Sequence, residues 1–192
     1  MAHEFYALLG RMRYITRWGL MRNSFSENIQ EHSYQVAVLS HALALIRREV
    51  LGLPGPDPDR CAVAALYHDA SEILTGDLPT PIKYYNDEIK AAYKQVERIA
   101  EERILDMLPQ QLRGCYEHLI HETEPEVMPT VKAADKLSAY LKCVEEVKGG
   151  NLEFKKAKEQ TYAALCQNPI PALRHIMEHF LEGFSLTLDE LS

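Results

Sequence analysis

Apolar side chains recur along most of this chain with the period of an α-helix, and the alternation typical of a strand is hard to find. The pattern predicts eight helices, at about residues 3–14, 28–50, 58–74, 87–107, 110–120, 125–148, 152–165 and 172–184. Asn28 with Glu31 indicates a capping box, Asp57 followed by Pro58 a helix start, and Gly149-Gly150 a helix end. The sequence therefore predicts an all-α helical bundle, a single domain over residues 1–192 without internal repeats.

Two features of this pattern concern function. His32 follows the same inward helical face as Val36, Leu39 and Leu43, so we expect its imidazole to face the core. The segment Thr75–Pro81 interrupts the helical pattern with one glycine and two prolines. Because loops carry much of the specificity of enzymes, this segment is a candidate for substrate recognition.

Composition narrows the function classes. The chain has 192 residues, of which 46% are hydrophobic and 26% charged, and this balance is typical of a soluble globular domain. It shows neither a secretion signal nor a stretch long enough to span a bilayer, so we expect a cytoplasmic protein without a membrane partner. The net charge of -7 argues against sequence-independent binding of nucleic acid. The four cysteines show no CxxC pair and are expected to be reduced and mostly buried.

His68-Asp69 directly follows the apolar run Cys61–Tyr67, where an imidazole and a carboxylate need partners to offset their desolvation. On one continuous helix, Glu72 would share the face of His68, and Asp69 would lie about 100° round. His32 and Asp135 stand on the apolar faces of two other predicted helices. A single buried histidine is more often a hydrogen-bonded core residue. The combination favours one divalent cation held by two imidazoles and two carboxylates.

The C-terminal helix offers a rival site. His175, Glu178 and His179 have the H-x-x-E-H spacing of inverted zinc peptidases. Such a site needs a third protein ligand, for which Glu182, Asp189 or Glu190 would have to serve, and an ordinary surface helix is the favoured interpretation. A non-enzymatic alternative is a helical module that binds nucleotides or a partner protein without turnover.

Five sequence motifs resemble those of a known family. They are Arg17-Trp18, Glu27-Asn28 with Glu31-His32-Ser33, the segment Tyr67–Glu72 (YHDASE), the segment Thr75–Pro81 (TGDLPTP), and the stretch from Lys132 through Asp135 to Lys142. The H…HD…D constellation is similar to that of HD-domain metal-dependent phosphohydrolases. The HDASE and GDLPTP stretches together resemble more closely the bacterial HD-domain 5′-deoxynucleotidases of the YfbR type, over nearly the whole chain.

The resemblance implies hydrolysis of deoxyribonucleoside 5′-monophosphates to deoxynucleoside and phosphate. The implied metal ligands are His32, His68, Asp69 and Asp135. The implied catalytic residues are Glu72 as general acid/base, Arg17, which orients the phosphate, and Asp77, which assists on the sugar and leaving-group side. The implied substrate contacts are Arg17, Trp18, His32, Asp69, Asp77, Leu78, Pro79, Thr80 and Asp135. A bulky Trp18 ring beside the sugar C2′ would leave no space for a 2′-hydroxyl.

The resemblance also implies a homodimer and one divalent ion, with cobalt or manganese favoured and zinc compatible with the nitrogen and oxygen ligands. The enzyme alternatives are other HD-domain phosphohydrolases that act on nucleoside triphosphates, cyclic nucleotides or alarmones. Nucleoside triphosphates and alarmones carry additional phosphates that call for further cations. Around the motifs the sequence offers mainly Arg17, Arg22 and Lys83.

Overall fold

A computed structural model of the chain describes residues 3–83, 85–121 and 123–191. The α-helices are α1 (Phe5–Leu9), α2 (Ile29–Leu45), α3 (Pro58–Tyr67), α4 (Glu72–Thr75), α5 (Thr80–Lys83), α6 (Asp87–Leu105), α7 (Gln110–Ile120), α8 (Met128–Lys148), α9 (Lys155–Cys166) and α10 (Pro171–His179). The predicted all-α fold is confirmed, since the described residues contain no strand and only an isolated bridge between Thr16 and Asn28.

Side-chain caps explain where α2 and α3 begin. The side-chain oxygen of Asn28 accepts hydrogen bonds from the backbone N–H groups of Gln30 and Glu31, both at 3.0 Å. The carboxylate of Glu31 in turn accepts from the backbone N–H of Asn28 at 3.3 Å, so the predicted capping box is present. Asp57 caps α3 in the same way, by accepting from the backbone N–H of Arg60 at 3.0 Å.

The prediction of one helix from Pro58 to Leu74 is wrong. Helix α3 ends at Tyr67, residues 68–71 form a turn, and α4 covers Glu72–Thr75. Hydrogen bonds between residues three apart tighten the chain there, from Ala70 N–H to the Tyr67 carbonyl at 2.9 Å and from Glu72 N–H to the Asp69 carbonyl at 3.0 Å. The predicted geometry, with His68 and Glu72 on one helical face, is therefore replaced by a turn between two helices.

Other boundaries differ by changes of helix type. The predicted first helix ends as α-helix at Leu9 and continues as a 3₁₀-helix, Gly10–Tyr14. The α-helical part of α2 ends at Leu45, and a π-helix covers Ile46–Val50. Helix α10 ends at His179 and is followed by a 3₁₀-helix, Leu181–Ser185. The bounds of α7 agree with the prediction, and those of α6 differ from it only at the C-terminal end.

The chain forms two compact units, one from Met1–Tyr34 and Leu66–Glu124 and the other from Gln35–Ala65 and Pro125–Ser192. The first unit has a core of apolar side chains centred on Phe5, Ala70, Ile104, Leu105, Leu108 and Ile120. The second unit has a larger core, which includes Val36, Leu39, Leu43, Val131, Leu137, Leu141, Leu165, Leu173 and Ile176. Each unit thus buries an apolar cluster of its own, which is the main favourable term in its folding.

All four cysteines are free thiols, as expected, but only Cys61 and Cys143 are buried. Cys115 and Cys166 are exposed, so the expectation that most of the thiols are buried is wrong. Among the described residues, no helix combines the length and the apolar character needed to cross a bilayer.

Candidate metal centre and active site

The His68-Asp69 pair lies in the turn between α3 and α4, and apolar packing on both sides holds this turn. Ala70 is 1% exposed and belongs to the core of the first unit. Tyr67 packs edge-on against Tyr116, with the ring centroids 5.7 Å apart. Because its neighbours are fixed in this core, the polar pair has a defined position at the end of α3.

His32, His68 and Asp69 come together in the first unit. The Nε2 atoms of His32 and His68 lie 3.6 and 3.2 Å from the same Asp69 oxygen, Oδ2. The two imidazole rings have centroids 5.3 Å apart, and each offers a nitrogen ligand atom within 4.8 Å of the other's. His32 is fully buried, as its helical position predicts. Nitrogen and carboxylate donors at these separations fit a divalent ion of the first transition row.

The carboxyl group of Asp69 is under opposing influences. In the metal-free protein, burial would raise its pKa, but the charge and hydrogen bond of His68 and the charges of His32 and Arg17 outweigh burial and hold the pKa below its ordinary value. The group is therefore an anion at neutral pH, as a metal-ligating carboxylate must be. Asp135, the remaining predicted ligand, is a half-buried residue of α8 in the second unit.

The carboxylate of Glu27 holds the side chains of Arg17 and Trp18, a role that the sequence alone does not indicate. Glu27 Oε2 accepts from Arg17 Nε at 3.2 Å and from Trp18 Nε1 at 2.9 Å. Arg17 Nη1 reaches Asp69 Oδ2 at 3.3 Å. Glu27 was visible only as part of a family motif, because its separation of ten residues from Arg17 indicates no contact by itself.

A short antiparallel contact brings these residues together. The backbone N–H of Arg17 donates to the Glu27 carbonyl at 2.9 Å, and that of Ile29 donates to the Ile15 carbonyl at 3.0 Å. Trp18 has a φ of 58°, a conformation that a bulky side chain adopts only when its surroundings compensate for the strain. Its hydrogen bond to Glu27 supplies part of that compensation.

Glu72 is the second unusual carboxyl group. It is 6% exposed, and its Oε2 atom has no hydrogen-bond partner among the described residues. Burial, together with the negative charges of Asp69 and Asp77, raises its pKa to about 9, against the weaker opposing effects of Arg17 and Lys83. In the metal-free protein Glu72 therefore keeps its proton at neutral pH.

The segment from Gly76 to Thr80 interacts with these residues through Asp77. Gly76 has a φ of 75°, and Asp77, Leu78 and Pro79 are half-buried while Thr80 is exposed. Burial raises the pKa of Asp77, opposed by Arg17 and by a hydrogen bond from the backbone of Trp18. The predicted substrate residues Arg17, Trp18 and Asp77 are thus neighbours.

The rival peptidase site gains no support. His175 and His179 stack on α10 with ring centroids 4.4 Å apart. Among the described residues, neither belongs to a group of three ligand-type side chains close enough to share one ion. Glu190, one of the ligands this site would need, instead accepts hydrogen bonds from the N–H and hydroxyl of Thr187 at 2.7 and 2.8 Å.

Two solved structures similar to this one are HD-domain phosphohydrolases. An HD-domain phosphohydrolase from Listeria innocua superposes with a TM-score of 0.77 over 95% of this chain and 88% of that chain, at 20% sequence identity. The HD phosphohydrolase DatZ of cyanophage S-2L, bound to dA and one catalytic Zn²⁺, superposes with a TM-score of 0.64 over 94% of this chain and 96% of that chain, at 22% identity. At these identities the likeness establishes the fold.

Sequence relatives are much closer. The 5′-deoxynucleotidase of Erwinia tasmaniensis is 49% identical over 98% of this chain and 96% of its own length. The 5′-deoxynucleotidase YfbR of Escherichia coli is 47% identical over the same shares of the two chains. The family model of YfbR-like 5′-deoxynucleotidases matches residues 4–184. This match includes every motif that forms the site, and the chain belongs to the YfbR-like 5′-deoxynucleotidase family.

Proposed function

We propose that this protein hydrolyses deoxyribonucleoside 5′-monophosphates to the deoxynucleoside and inorganic phosphate. The observation that carries the proposal is the family match over residues 4–184, in a chain that is 47–49% identical to 5′-deoxynucleotidases along nearly its whole length. The site agrees with this chemistry, because histidine and carboxylate ligands, a buried carboxylic acid and an arginine are the groups that phosphomonoester hydrolysis needs.

In this proposal one divalent ion is held by His32, His68, Asp69 and Asp135. Its ligand set suits cobalt, manganese and zinc alike, and we favour cobalt or manganese from the family resemblance. The bound ion would lower the pKa of a water molecule and offset negative charge on the phosphoryl group. Asp69 contributes its charge, and the two imidazoles contribute neutral nitrogens.

Arg17 has the role of orienting the phosphate. Its guanidinium group already contacts Asp69 through one nitrogen and Glu27 through another, so its direction is fixed before the substrate binds. A planar guanidinium group pairs well with phosphate oxygens. Holding the phosphate in line with the attacking water reduces the entropic part of the barrier. His32, Asp69 and Asp135 also contact the substrate in this proposal.

Glu72 is assigned the proton transfer. The attacking water forms a bond to phosphorus, and the bond between phosphorus and the sugar O5′ breaks. The neutral carboxyl group of Glu72 gives its proton to O5′ and recovers one from the attacking water, so it ends each cycle unchanged. In the metal-free protein the raised pKa keeps this group protonated at neutral pH, which is the form that can donate a proton.

Trp18 and the segment Asp77–Thr80 are assigned the sugar. The indole ring beside C2′ would exclude a 2′-hydroxyl by its bulk and by offering no partner for it. Nucleotides with more phosphates call for cations besides Arg17, and Lys83, one of the few near the motifs, already pairs with Glu97.

A substrate panel tests the proposal. Phosphate release would be measured with deoxyribonucleoside and ribonucleoside mono- and triphosphates, with and without a chelator. We expect turnover of the deoxyribonucleoside monophosphates alone, abolished by the chelator and restored by cobalt or manganese. Faster turnover of triphosphates would favour another member of the HD superfamily, and binding without turnover would favour a non-catalytic module.

The assembly and location belong to the same proposal. We propose a homodimer that acts in the cytoplasm, without nucleic-acid or membrane partners. Large apolar side chains are exposed, among them Tyr14, Leu20 and Tyr34 at 66%, 70% and 68%, and such side chains are available to a second copy. Sedimentation velocity at micromolar concentration would give the mass of a dimer, and a monomer mass would contradict this part.

A further inference from the structure

Both ends of the loop that follows α4 are attached to one turn of α6. Residues 76–83, which connect α4 to α6, are called the loop here; they include Asp77–Thr80, the segment assigned to the sugar, and end in the short helix α5. The attachments on α6 are Tyr93 and Glu97, which are four residues apart and therefore lie on the same face of the helix. All of these residues belong to the first compact unit.

The N-terminal end of the loop is attached through Tyr93. The Tyr93 hydroxyl donates to the Gly76 carbonyl at 3.4 Å and lies 3.4 Å from Thr75 Oγ1. Thr75 Oγ1 in turn donates to the same Gly76 carbonyl at 3.1 Å. Each contact is long and modest, but together they fix the peptide that directly precedes Asp77.

The C-terminal end is attached through Lys83. Its ammonium nitrogen lies 2.7 Å from Glu97 Oε1 and 4.9 Å from the centre of the Tyr93 ring. The side chains of Lys83 and Glu97 are only 27% and 21% exposed, so solvent screens this ion pair less than a fully exposed one. Tyr93 thus contacts both ends of the loop, Gly76 through its hydroxyl and Lys83 through its ring.

The separation of the loop ends is therefore set by α6, a helix of 19 residues and the longest element of its unit. Between these ends Asp77 meets the backbone of Trp18, which places the loop against the residue assigned to the sugar C2′. A shift at either attachment would move Asp77 relative to Trp18. Misplacement of about 1 Å is enough to lower an enzymatic rate substantially.

We propose that Lys83, Tyr93 and Glu97 are positioning residues that set sugar recognition by holding the loop Asp77–Thr80 in register with Trp18. The inference rests on the proposed function, since it assigns these residues to the sugar side of the same site. They act through the loop and do not touch the reacting atoms.

The test compares two substrates in the holoenzyme. Tyr93→Phe removes the hydroxyl contacts and keeps the ring, and Lys83→Met removes the ion pair and keeps the stem. For a deoxyribonucleoside monophosphate we expect each variant to lower kcat/KM by about tenfold, mainly by raising KM. We also expect a smaller ratio of kcat/KM for the deoxyribonucleotide to kcat/KM for the matching ribonucleotide. For p-nitrophenyl phosphate, which has no sugar, we expect Tyr93→Phe to keep the wild-type rate.

Tyr85→Phe and Lys94→Met are matched controls, because both side chains are exposed and Lys94 lies on the same helix. Neither control should change either substrate. Unchanged kcat/KM and unchanged sugar preference in Tyr93→Phe and Lys83→Met would overturn the proposal. An equal loss on both substrates in Tyr93→Phe would also overturn it, since it would indicate damage to the centre that acts on phosphate.

Hydrogen exchange separates this inference from the proposed function. The amides of residues 76–83 should exchange faster in Tyr93→Phe and Lys83→Met than in the wild type, while the controls match the wild type. If the wild-type protein does not hydrolyse deoxyribonucleotides, the proposed function fails, and faster exchange would still support the attachment. Unchanged exchange would overturn the attachment itself, whatever the substrate.

Discussion

The carboxyl group of Glu72 is buried in a way that disfavours its charged form and suits the proposed chemistry. Folding buries it to 6% exposure, near Asp69 and Asp77, and leaves one of its oxygens without a hydrogen-bond partner among the described residues. Each of these features disfavours the charged form of the group. The same features give a carboxylic acid that is protonated at neutral pH, which a general acid requires.

This burial predicts a pH dependence of stability in the metal-free protein. Between the ordinary pKa of 4.5 and the folded value of about 9, the folded state binds a proton that the unfolded state lacks. Stability from this group therefore falls as the pH rises through that window. Glu72→Gln, which mimics the protonated form, should remove this loss, so its stability advantage over the wild type should be larger at pH 8 than at pH 5.

Urea denaturation of Glu72→Gln and wild type at pH 5 and pH 8, with a chelator present, would measure this difference in stability. The comparison with the wild type isolates Glu72 from Asp69, whose lowered pKa has the opposite effect and reduces stability at acid pH in both proteins. If the free energies of unfolding of variant and wild type differed by the same amount at the two pH values, the raised pKa of Glu72 would be contradicted.

The same residue carries a prediction for turnover. Glu72→Ala should lower kcat by about 10²- to 10⁴-fold, the usual range for loss of general acid or base catalysis. Substrate affinity should be retained, because Arg17 and the metal ligands are unchanged. Steady-state kinetics with direct binding measurements would check both parts. A variant that binds and turns over like the wild type would remove Glu72 from the mechanism.

Glu27 is predicted to support Arg17 and Trp18 without touching the substrate. Glu27→Ala removes the acceptor shared by the two side chains, so kcat/KM for deoxyribonucleotides should fall by about tenfold as the guanidinium group and the indole lose their fixed directions. Glu27→Gln keeps an acceptor oxygen and should recover part of the loss. The exposed Glu49 provides a control as Glu49→Ala, and equal effects of the Glu27 and Glu49 variants would contradict this role.

At the scale of elements, the sequence predicts a helix well where its start and end are marked. Helix α2 begins at the predicted capping box, and α8 ends at the predicted glycine pair. The break after Tyr67 was missed because no glycine or proline lies between Pro58 and Gly76. That break is made by hydrogen bonds between residues three apart and by packing of Ala70, which local sequence does not reveal.

The site follows the same rule. The buried His32 and the His68-Asp69 pair were predictable, because polar residues within apolar patterns are conspicuous. The role of Glu27 and the attachment of Lys83 to α6 were not, because both depend on distances between segments that sequence spacing does not give. The assignment of Arg17 and Trp18 to the site came from family resemblance, since each also has an ordinary structural explanation.

Gly76 carries a prediction about the loop after α4. Its φ of 75° and ψ of 159° lie in a region that is nearly exclusive to glycine, although a Cβ would meet nothing within 4 Å. Gly76→Ala should therefore cost about 1–3 kcal/mol through backbone strain alone. Gly114→Ala in α7, also with open space at the Cβ, should instead stabilise by about 0.5–1 kcal/mol. If Gly76→Ala and Gly114→Ala changed the free energy of unfolding equally in chemical denaturation, the backbone strain expected in Gly76→Ala would be contradicted.

At the scale of the whole molecule, the sequence predicts a single domain, and the structure contains two compact units. The chain passes from one unit to the other inside α2, inside α3 and just before α8, at residues 34/35, 65/66 and 124/125. We propose that the two units unfold together. Trp18 is the only tryptophan and reports on the first unit, while far-ultraviolet circular dichroism reports on helices of both. Coincident urea transitions by the two probes are expected, and separate midpoints would indicate two domains.

The proposed mechanism depends most on a divalent ion for which His68 is one of the ligands. The direct measurement is the metal content of purified wild type and His68→Ala by mass spectrometry after loading with cobalt or manganese, with phosphate release from a deoxyribonucleoside monophosphate assayed on the same samples. We predict one ion per chain and chelator-sensitive turnover in the wild type, and loss of both in His68→Ala, with His175→Ala unchanged. An ion retained at wild-type stoichiometry in a folded His68→Ala protein would contradict the proposed centre.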